Sequence, residues 1–131
     1  MEDSIFTKII KGEIPSHKIY EDELTYAFLD IHPVTRGHVL VVPKRQVEFL
    51  WDCDGADYQA VMATVKKIAS HLRSTLDVPH VGLQVIGVDV PHAHVHLIPF
   101  RDVAEYRQVS DMAAEPDFAE LEAVAKQLAI V

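Results

Sequence analysis

The chain has 131 residues, 49% of them hydrophobic, and a formal net charge of −8. A chain of this length is expected to fold as a single domain, residues 1–131, whose core needs no disulfide or cofactor. The acidic balance argues against nucleic-acid and membrane partners, because neutralising their phosphates requires clustered lysines and arginines. A single nucleotide is still a possible ligand, since a few local groups can hold it.

Cys53 is the only cysteine, which rules out an internal disulfide and a cysteine-based zinc site built from this chain alone. The first residues, Met1–Ser4, are acidic and lack the basic-then-apolar pattern of a signal peptide. No apolar run approaches the length of a membrane span. We therefore expect a cytoplasmic enzyme or binding domain.

The first third of the chain predicts one short helix and three strands. Apolar residues at positions 5, 6, 9 and 10 predict a helix over residues 4–11, which Gly12 ends. Residues 19–22 and 24–31 are rich in β-formers and predict two strands joined by an acidic turn. The apolar run of residues 38–42 predicts a central strand buried on both faces.

Two longer segments show the periodicity of amphipathic helices. Residues 57–76 carry apolar side chains at a spacing of three or four, beginning with Tyr58, and predict the one long helix with that stripe in the core. Residues 117–129, whose stripe begins with Phe118, predict a terminal helix.

Two further strands are predicted between these helices, over residues 81–87 and about 92–100. Neighbouring strands with so short a connection usually pair antiparallel. The predicted fold class is therefore α+β: a mostly antiparallel sheet of about five strands with one long helix and short terminal helices.

Three histidines, His92, His94 and His96, recur at a spacing of two, with small or apolar residues between them. In a strand this alternation places the three imidazoles on one face, whereas a helix would scatter them. Three adjacent imidazoles can bind an anion, hold a metal ion or transfer protons near neutral pH.

The stretch from His92 to Ile98 resembles the His-φ-His-φ-His-φ-φ signature of the histidine triad (HIT) nucleotide hydrolases and transferases. Residues 6–22, 28–33 and 37–44 resemble further blocks of that family in the same order. The similarity covers about residues 4–100, whereas the tail, residues 101–131, resembles nothing that we can match. The resemblance implies a homodimer in which two sheets join across a two-fold axis.

The resemblance also implies a role for each matching residue. His94 would attack the α-phosphorus and form a nucleotidyl-histidine intermediate. His92 and His96 would donate hydrogen bonds to the phosphate oxygens and the leaving group, and His38, at the start of its strand, would complete the cluster. Asp30 would accept hydrogen bonds from the ribose hydroxyls. The apolar slot for the purine would consist of Ile5, Phe6, Ile9, Phe28 and Ile31, for which simple core packing is the alternative.

The sequence departs from the family at a zinc site. Many relatives hold a structural zinc ion with two cysteines, one further histidine and the first triad histidine. This chain has Ser4, Thr7 and Gln46 in place of the first three ligands. We therefore predict that no metal binds there.

A second departure precedes the triad. Relatives carry a Gly-Gln-Ser, Gly-Gln-Thr or Gly-Gln-Glu element at this point, whereas here Gly87 is followed by Val88 and Asp89. Backbone N–H groups near Gly87 and Asp89 would then serve the phosphate in place of the missing side-chain donor. Asp89 would either repel a phosphate or orient a histidine, depending on the direction it faces.

The leading interpretation is a cofactor-free hydrolase that cleaves a P–N or P–O bond at the α-phosphate of a purine nucleotide. Its substrate would be a nucleoside phosphoramidate or a dinucleoside polyphosphate. One alternative is a purine nucleotide-binding module with little turnover, because the leaving-group donor is missing. Another is a metal-dependent enzyme built on His-x-His, although no carboxylate lies between His92 and Arg101 to complete its ligand set.

Overall fold

The computed structural model describes residues 1–130. Its five strands form one antiparallel sheet in the order β1-β2-β3-β5-β4, as the α+β prediction requires. In chain order the elements are α1 (Ile5–Ile10), β1 (Lys18–Glu21), β2 (Thr25–Leu29), β3 (Val39–Pro43), a 3-10 turn (Leu50–Asp52), α2 (Gly55–Leu76), β4 (His80–Gln84), β5 (Val95–Phe100), α3 (Val103–Tyr106) and α4 (Phe118–Leu128).

The two central strands β2 and β3 are buried on both faces because helices cover both sides of the sheet. Side chains alternate between the faces of a strand, so each strand contributes to two cores. The larger core, on the side of α2 and α4, takes Ala27, Leu29, Val39 and Val41. The smaller core, on the side of α1, takes Tyr26, Phe28, Leu40 and Val42 together with Phe6 and Ile9.

The same alternation positions the second and third triad histidines. Val95 and Leu97 of β5 belong to the larger core, on the side of α2. Their neighbours His94 and His96 therefore lie on the α1 side. There His96 pairs with Leu40 of β3 on one side and with Gln84 of β4 on the other.

The strand predicted from His92 begins only at Val95. The backbone before it makes other hydrogen bonds: the His92 N–H donates to the nearby Val90 carbonyl, and the Ala93 N–H donates to the Val47 carbonyl in the loop after β3. Because β5 begins late, the predicted strand 81–87 also stops early, at Gln84.

The helices begin and end close to their predicted limits. Tyr58, which was predicted to lie in the core, is 36% exposed, and Phe118 is 55% exposed. Each lies in the first turn of its helix. The short helix α3 was not predicted. Within residues 1–130, no helix has both the length and the apolarity needed to cross a membrane.

Candidate active site

A cavity of about 340 Å³ lies between α1 and the sheet. Most of the predicted site residues line it: Ile5, Phe6, Ile9, Phe28, Asp30, Ile31, Asp89, His94 and His96. Together with His32, these residues join the apolar side chains of α1 and β2 to three imidazoles and two carboxylates. Gly87, His38 and His92 are not part of it.

Some lining residues were not predicted. Leu40 of β3 faces the cavity because it alternates with the core residues Val39 and Val41, a pattern that the buried strand 38–42 did not reveal. Met112 comes from the tail, where no sequence signal marked it. The tail is also bonded to this region, since the Ala114 carbonyl lies 3.1 Å from His32 Nε2.

His94 has one ring nitrogen fixed by the backbone. Its Nδ1 lies 2.7 Å from the His92 carbonyl oxygen, which can only accept, so Nδ1 carries the hydrogen. In the neutral ring, Nε2 therefore keeps its lone pair. The ring is 3% exposed and is held edge-on against Phe6, with the ring centroids 5.2 Å apart.

His38 determines which ring nitrogen of His96 carries the hydrogen. The Val34 N–H donates to His38 Nδ1 at 3.0 Å, so the neutral His38 ring carries its hydrogen on Nε2. That Nε2 lies 3.0 Å from His96 Nδ1 and donates to it. His96 must then carry its own hydrogen on Nε2, a buried atom without a hydrogen-bond partner in residues 1–130. The site thus holds an unpaired N–H donor on a ring whose centroid is 5.1 Å from that of His94.

Burial keeps this pair of rings neutral. It lowers the pKa of His38 to about 3, with the neighbouring His96 adding to the shift. Burial likewise lowers the pKa of His96 to about 4, assisted by His94 and opposed by the Asp89 charge. For Asp30 the same desolvation acts in the other direction and raises the carboxyl pKa.

His92 lies on the α1 side as well, but it is fully buried below the start of α1. Its Nε2 donates to the Pro43 carbonyl at 2.7 Å, and its Nδ1 accepts from the Ser4 hydroxyl at 2.8 Å. Neither nitrogen is left for a phosphate oxygen, which corrects the role expected for this ring. The contribution of His92 to the site is its carbonyl, which orients His94.

The residues that replace the family's zinc ligands meet around His92. Thr7 Oγ1 donates to Gln46 Oε1 at 2.7 Å, and the Ser4 N–H donates to the same oxygen at 2.8 Å. Hydroxyls and an amide oxygen are poor zinc donors, and the lone pair of His92 Nδ1 already accepts from Ser4. This donor set does not fit zinc, and hydrogen bonds hold the four residues together.

Asp30, His38 and His96 form a second cluster of metal-ligand type, with ligand atoms within 4.8 Å of one another. The Val34 N–H occupies the Nδ1 lone pair of His38, so its Nε2 carries a hydrogen and has no lone pair for a metal ion. The geometry favours the hydrogen-bond relay over metal binding.

Comparison with known proteins agrees with the family resemblance found in the sequence. The model of the HIT domain family matches residues 11–103. The adenosine 5'-monophosphoramidase HNT1 of Saccharomyces cerevisiae is 38% identical over 125 residues, which cover 95% of this chain and 79% of the yeast protein.

Solved structures of similar fold include a Hit-like protein from Bartonella henselae, which is described as involved in cell-cycle regulation. It is 30% identical with a TM-score of 0.84, and the match covers 96% of this chain and 93% of that one. A zinc-bound histidine triad family protein from Mycobacterium smegmatis is also 30% identical, with a TM-score of 0.73 and coverage of 95% and 94%.

Proposed function

The chain belongs to the HIT domain family, and from that premise we propose that it hydrolyses adenosine 5'-phosphoramidates through a nucleotidyl-histidine intermediate. One observation carries the proposal. His94 Nε2 keeps its lone pair beside the unpaired N–H of His96, in a cavity that also offers an apolar slot and a carboxylate. The activity named for the yeast relative supports the choice of leaving group.

In the proposed complex the base occupies the apolar part of the cavity and contacts Phe6 and Ile9. The Asp30 carboxylate accepts hydrogen bonds from the ribose hydroxyls. The α-phosphate then reaches His94, and an oxygen of the phosphate accepts the free N–H of His96. Charge that develops on that oxygen is stabilised without reorganisation, because His38 already fixes the donor.

The reaction takes two displacements at phosphorus. First, the lone pair of His94 Nε2 attacks, the P–N bond to the amine breaks with its electron pair on nitrogen, and the departing amine takes up a proton from solvent. Water then attacks the adenylyl-histidine, the Nε2–P bond breaks and its electron pair returns to Nε2. The water releases one proton, and the products are the amine and adenosine monophosphate.

The test is hydrolysis of an adenosine phosphoramidate with a fluorogenic amine, with a chelator present throughout. We expect His94→Ala to abolish turnover, and the matched control His80→Ala, an exposed histidine at the far end of β4, to retain it. Turnover that survives in His94→Ala would refute the covalent route. A wild-type protein that binds adenosine monophosphate without turnover would instead favour the binding-module alternative.

We extend the proposal to a cytoplasmic homodimer in which β4 pairs with β4 of a second copy. β4 is an edge strand, and its Leu83 is 46% exposed, while nearby Ile86 is 57% exposed. Exposed apolar side chains on an open edge are what such pairing would cover. Sedimentation velocity that gives the mass of a single chain at micromolar concentration would contradict it.

A further inference from the structure

Three consecutive residues hold the loop after β3, residues 44–49, to three other parts of the fold. Arg45 pairs with carboxylates at the start of α2. The Gln46 side chain accepts hydrogen bonds from the start of α1. The Val47 carbonyl accepts from the Ala93 N–H at 2.7 Å. The loop therefore connects both helices to the segment that carries the triad.

The contact with α2 is electrostatic and depends on Asp57. The Asp57 side chain is 6% exposed, and its Oδ2 is a buried atom without a hydrogen-bond partner in residues 1–130. Arg45 Nε lies 3.5 Å from that oxygen, and Arg45 Nη1 lies 3.3 Å from Asp54 Oδ2. A buried carboxylate without a counter-charge is costly. Arg45 is therefore held at the start of α2, although its own side chain is 69% exposed.

The contact with the triad segment acts on the group that orients His94. The Ala93 N–H and the His92 carbonyl belong to one peptide group, which is planar, and in the trans form its N–H and C=O point in opposite directions. The N–H donates to the Val47 carbonyl, and the carbonyl oxygen lies 2.7 Å from His94 Nδ1. The position of the Val47 carbonyl therefore sets the plane of the peptide group that holds the His94 ring.

This peptide group lies outside the sheet, because β5 begins only at Val95. Strand pairing does not fix its orientation, and the hydrogen bonds at its two ends do so instead. Hydrogen bonds in series also polarise one another, so the bond to Val47 strengthens the bond that His94 donates. The loop after β3 is thus the external support of the His94 ring.

We propose that Arg45 is a positioning residue: its pairing with Asp57 places the Val47 carbonyl, which orients His94 Nε2 toward the α-phosphorus through one peptide group. This inference rests on the proposed function and adds a residue outside the cavity to it. Arg45 touches neither the nucleotide nor the reacting atoms. The bonds made and broken remain those given above.

The kinetic test compares Arg45→Gln and Arg45→Lys with the matched control Arg73→Gln. Arg73 is an exposed arginine in the last turn of α2, outside the cavity lining. We expect Arg45→Gln to lower kcat on an adenosine phosphoramidate roughly tenfold, because a ring displaced from the attack geometry reacts slowly. KM should stay unchanged, since the groups proposed to bind the base and ribose lie outside this loop. Arg45→Lys keeps the charge beside Asp57 and should recover most of the loss, and Arg73→Gln should match the wild type.

Nitrogen-15 NMR of the imidazoles follows the His94 ring without any turnover. The Nδ1–H of His94 should exchange slowly with solvent in the wild type and faster in Arg45→Gln. Asp57→Asn, in which Arg45 still pairs with Asp54, should give a smaller change in the same direction, and it decides the question if Arg45→Gln does not fold.

The two measurements separate this inference from the proposed function. If both variants lose stability but keep the wild-type kcat and the wild-type exchange of the His94 Nδ1–H, Arg45 only stabilises the loop and this inference is overturned. A wild-type protein without turnover would overturn the proposed function, and the exchange rate of the His94 Nδ1–H would still decide whether Arg45 positions the ring.

Discussion

Replacing Ser4 with alanine removes two hydrogen bonds, one that caps α1 and one that joins α1 to the triad segment. The Ser4 hydroxyl oxygen accepts from the Thr7 N–H at 3.0 Å as the N-cap of α1, and the hydroxyl donates to His92 Nδ1 at 2.8 Å. Loss of an N-cap costs about 1 kcal/mol. A buried acceptor left without a partner costs about 1–3 kcal/mol, and His92 is fully buried. The Thr7 hydroxyl, 3.3 Å from His92 Nδ1, can replace part of this loss. We expect Ser4→Ala to lower the free energy of unfolding by about 2–3 kcal/mol.

Urea unfolding followed by circular dichroism measures this loss, provided that the slope of the unfolding free energy against urea concentration is the same in both proteins. Ser4→Thr, which keeps the hydroxyl, should recover most of it. The matched control is Ser74→Ala on α2, an exposed serine whose hydroxyl bonds only to carbonyls of its own helix. Its effect should stay within about 0.5 kcal/mol. An equally small effect of Ser4→Ala would refute the idea that hydrogen bonds around His92 connect α1 to the triad segment in place of the zinc ion that relatives hold there.

Two further predictions concern charge. The folded pKa values of His38 and His96, about 3 and about 4 against 6.5 for a free histidine, mean that the unfolded chain binds more protons below pH 6.5. The free energy of unfolding that these two histidines contribute should therefore be fully present above pH 6.5 and fall toward pH 4. The raised pKa of Asp30 opposes part of this loss. A urea midpoint that stays constant from pH 7.5 to 5 would contradict the prediction. Asp30→Asn should lower kcat/KM for an adenosine phosphoramidate on the order of tenfold. It should hardly change kcat/KM for the matching 2',3'-dideoxyadenosine substrate, which lacks the ribose hydroxyls. Equal losses on both substrates would exclude recognition of the ribose by Asp30.

The alternation of side chains along β-strands accounts for most of what could be predicted. The apolar run before Pro43 predicts β3, and the spacing of the histidines predicts that they share one face. His94 and His96 do share a face, the one on the α1 side, although β5 begins only at Val95. The apolar residues of α1 follow from helical periodicity in the same way. These features depend on neighbours within a few positions, which a sequence displays directly.

The role of His92 could not be predicted in that way. It depends on the Pro43 carbonyl, 49 positions earlier, and on Ser4, 88 positions earlier, so only the packed fold brings the partners together. Met112 was missed for a related reason. Its segment has neither helical nor strand periodicity, and its position over the cavity comes from tertiary contacts such as the one between His32 and the Ala114 carbonyl.

The orientation of His94, the proposed nucleophile, differs in one respect from the serine hydrolase arrangement, in which a carboxylate orients the histidine. Here a backbone group begins each chain of hydrogen bonds: the Pro43 carbonyl fixes His92, whose own carbonyl fixes His94, and the Val34 N–H fixes His38 and, through it, His96. Backbone groups cannot exchange donor for acceptor, so the tautomers are set without a charged partner. The lone pair of His94 Nε2 is therefore kept by hydrogen bonds to the main chain, whatever the charge of the carboxylates that line the cavity.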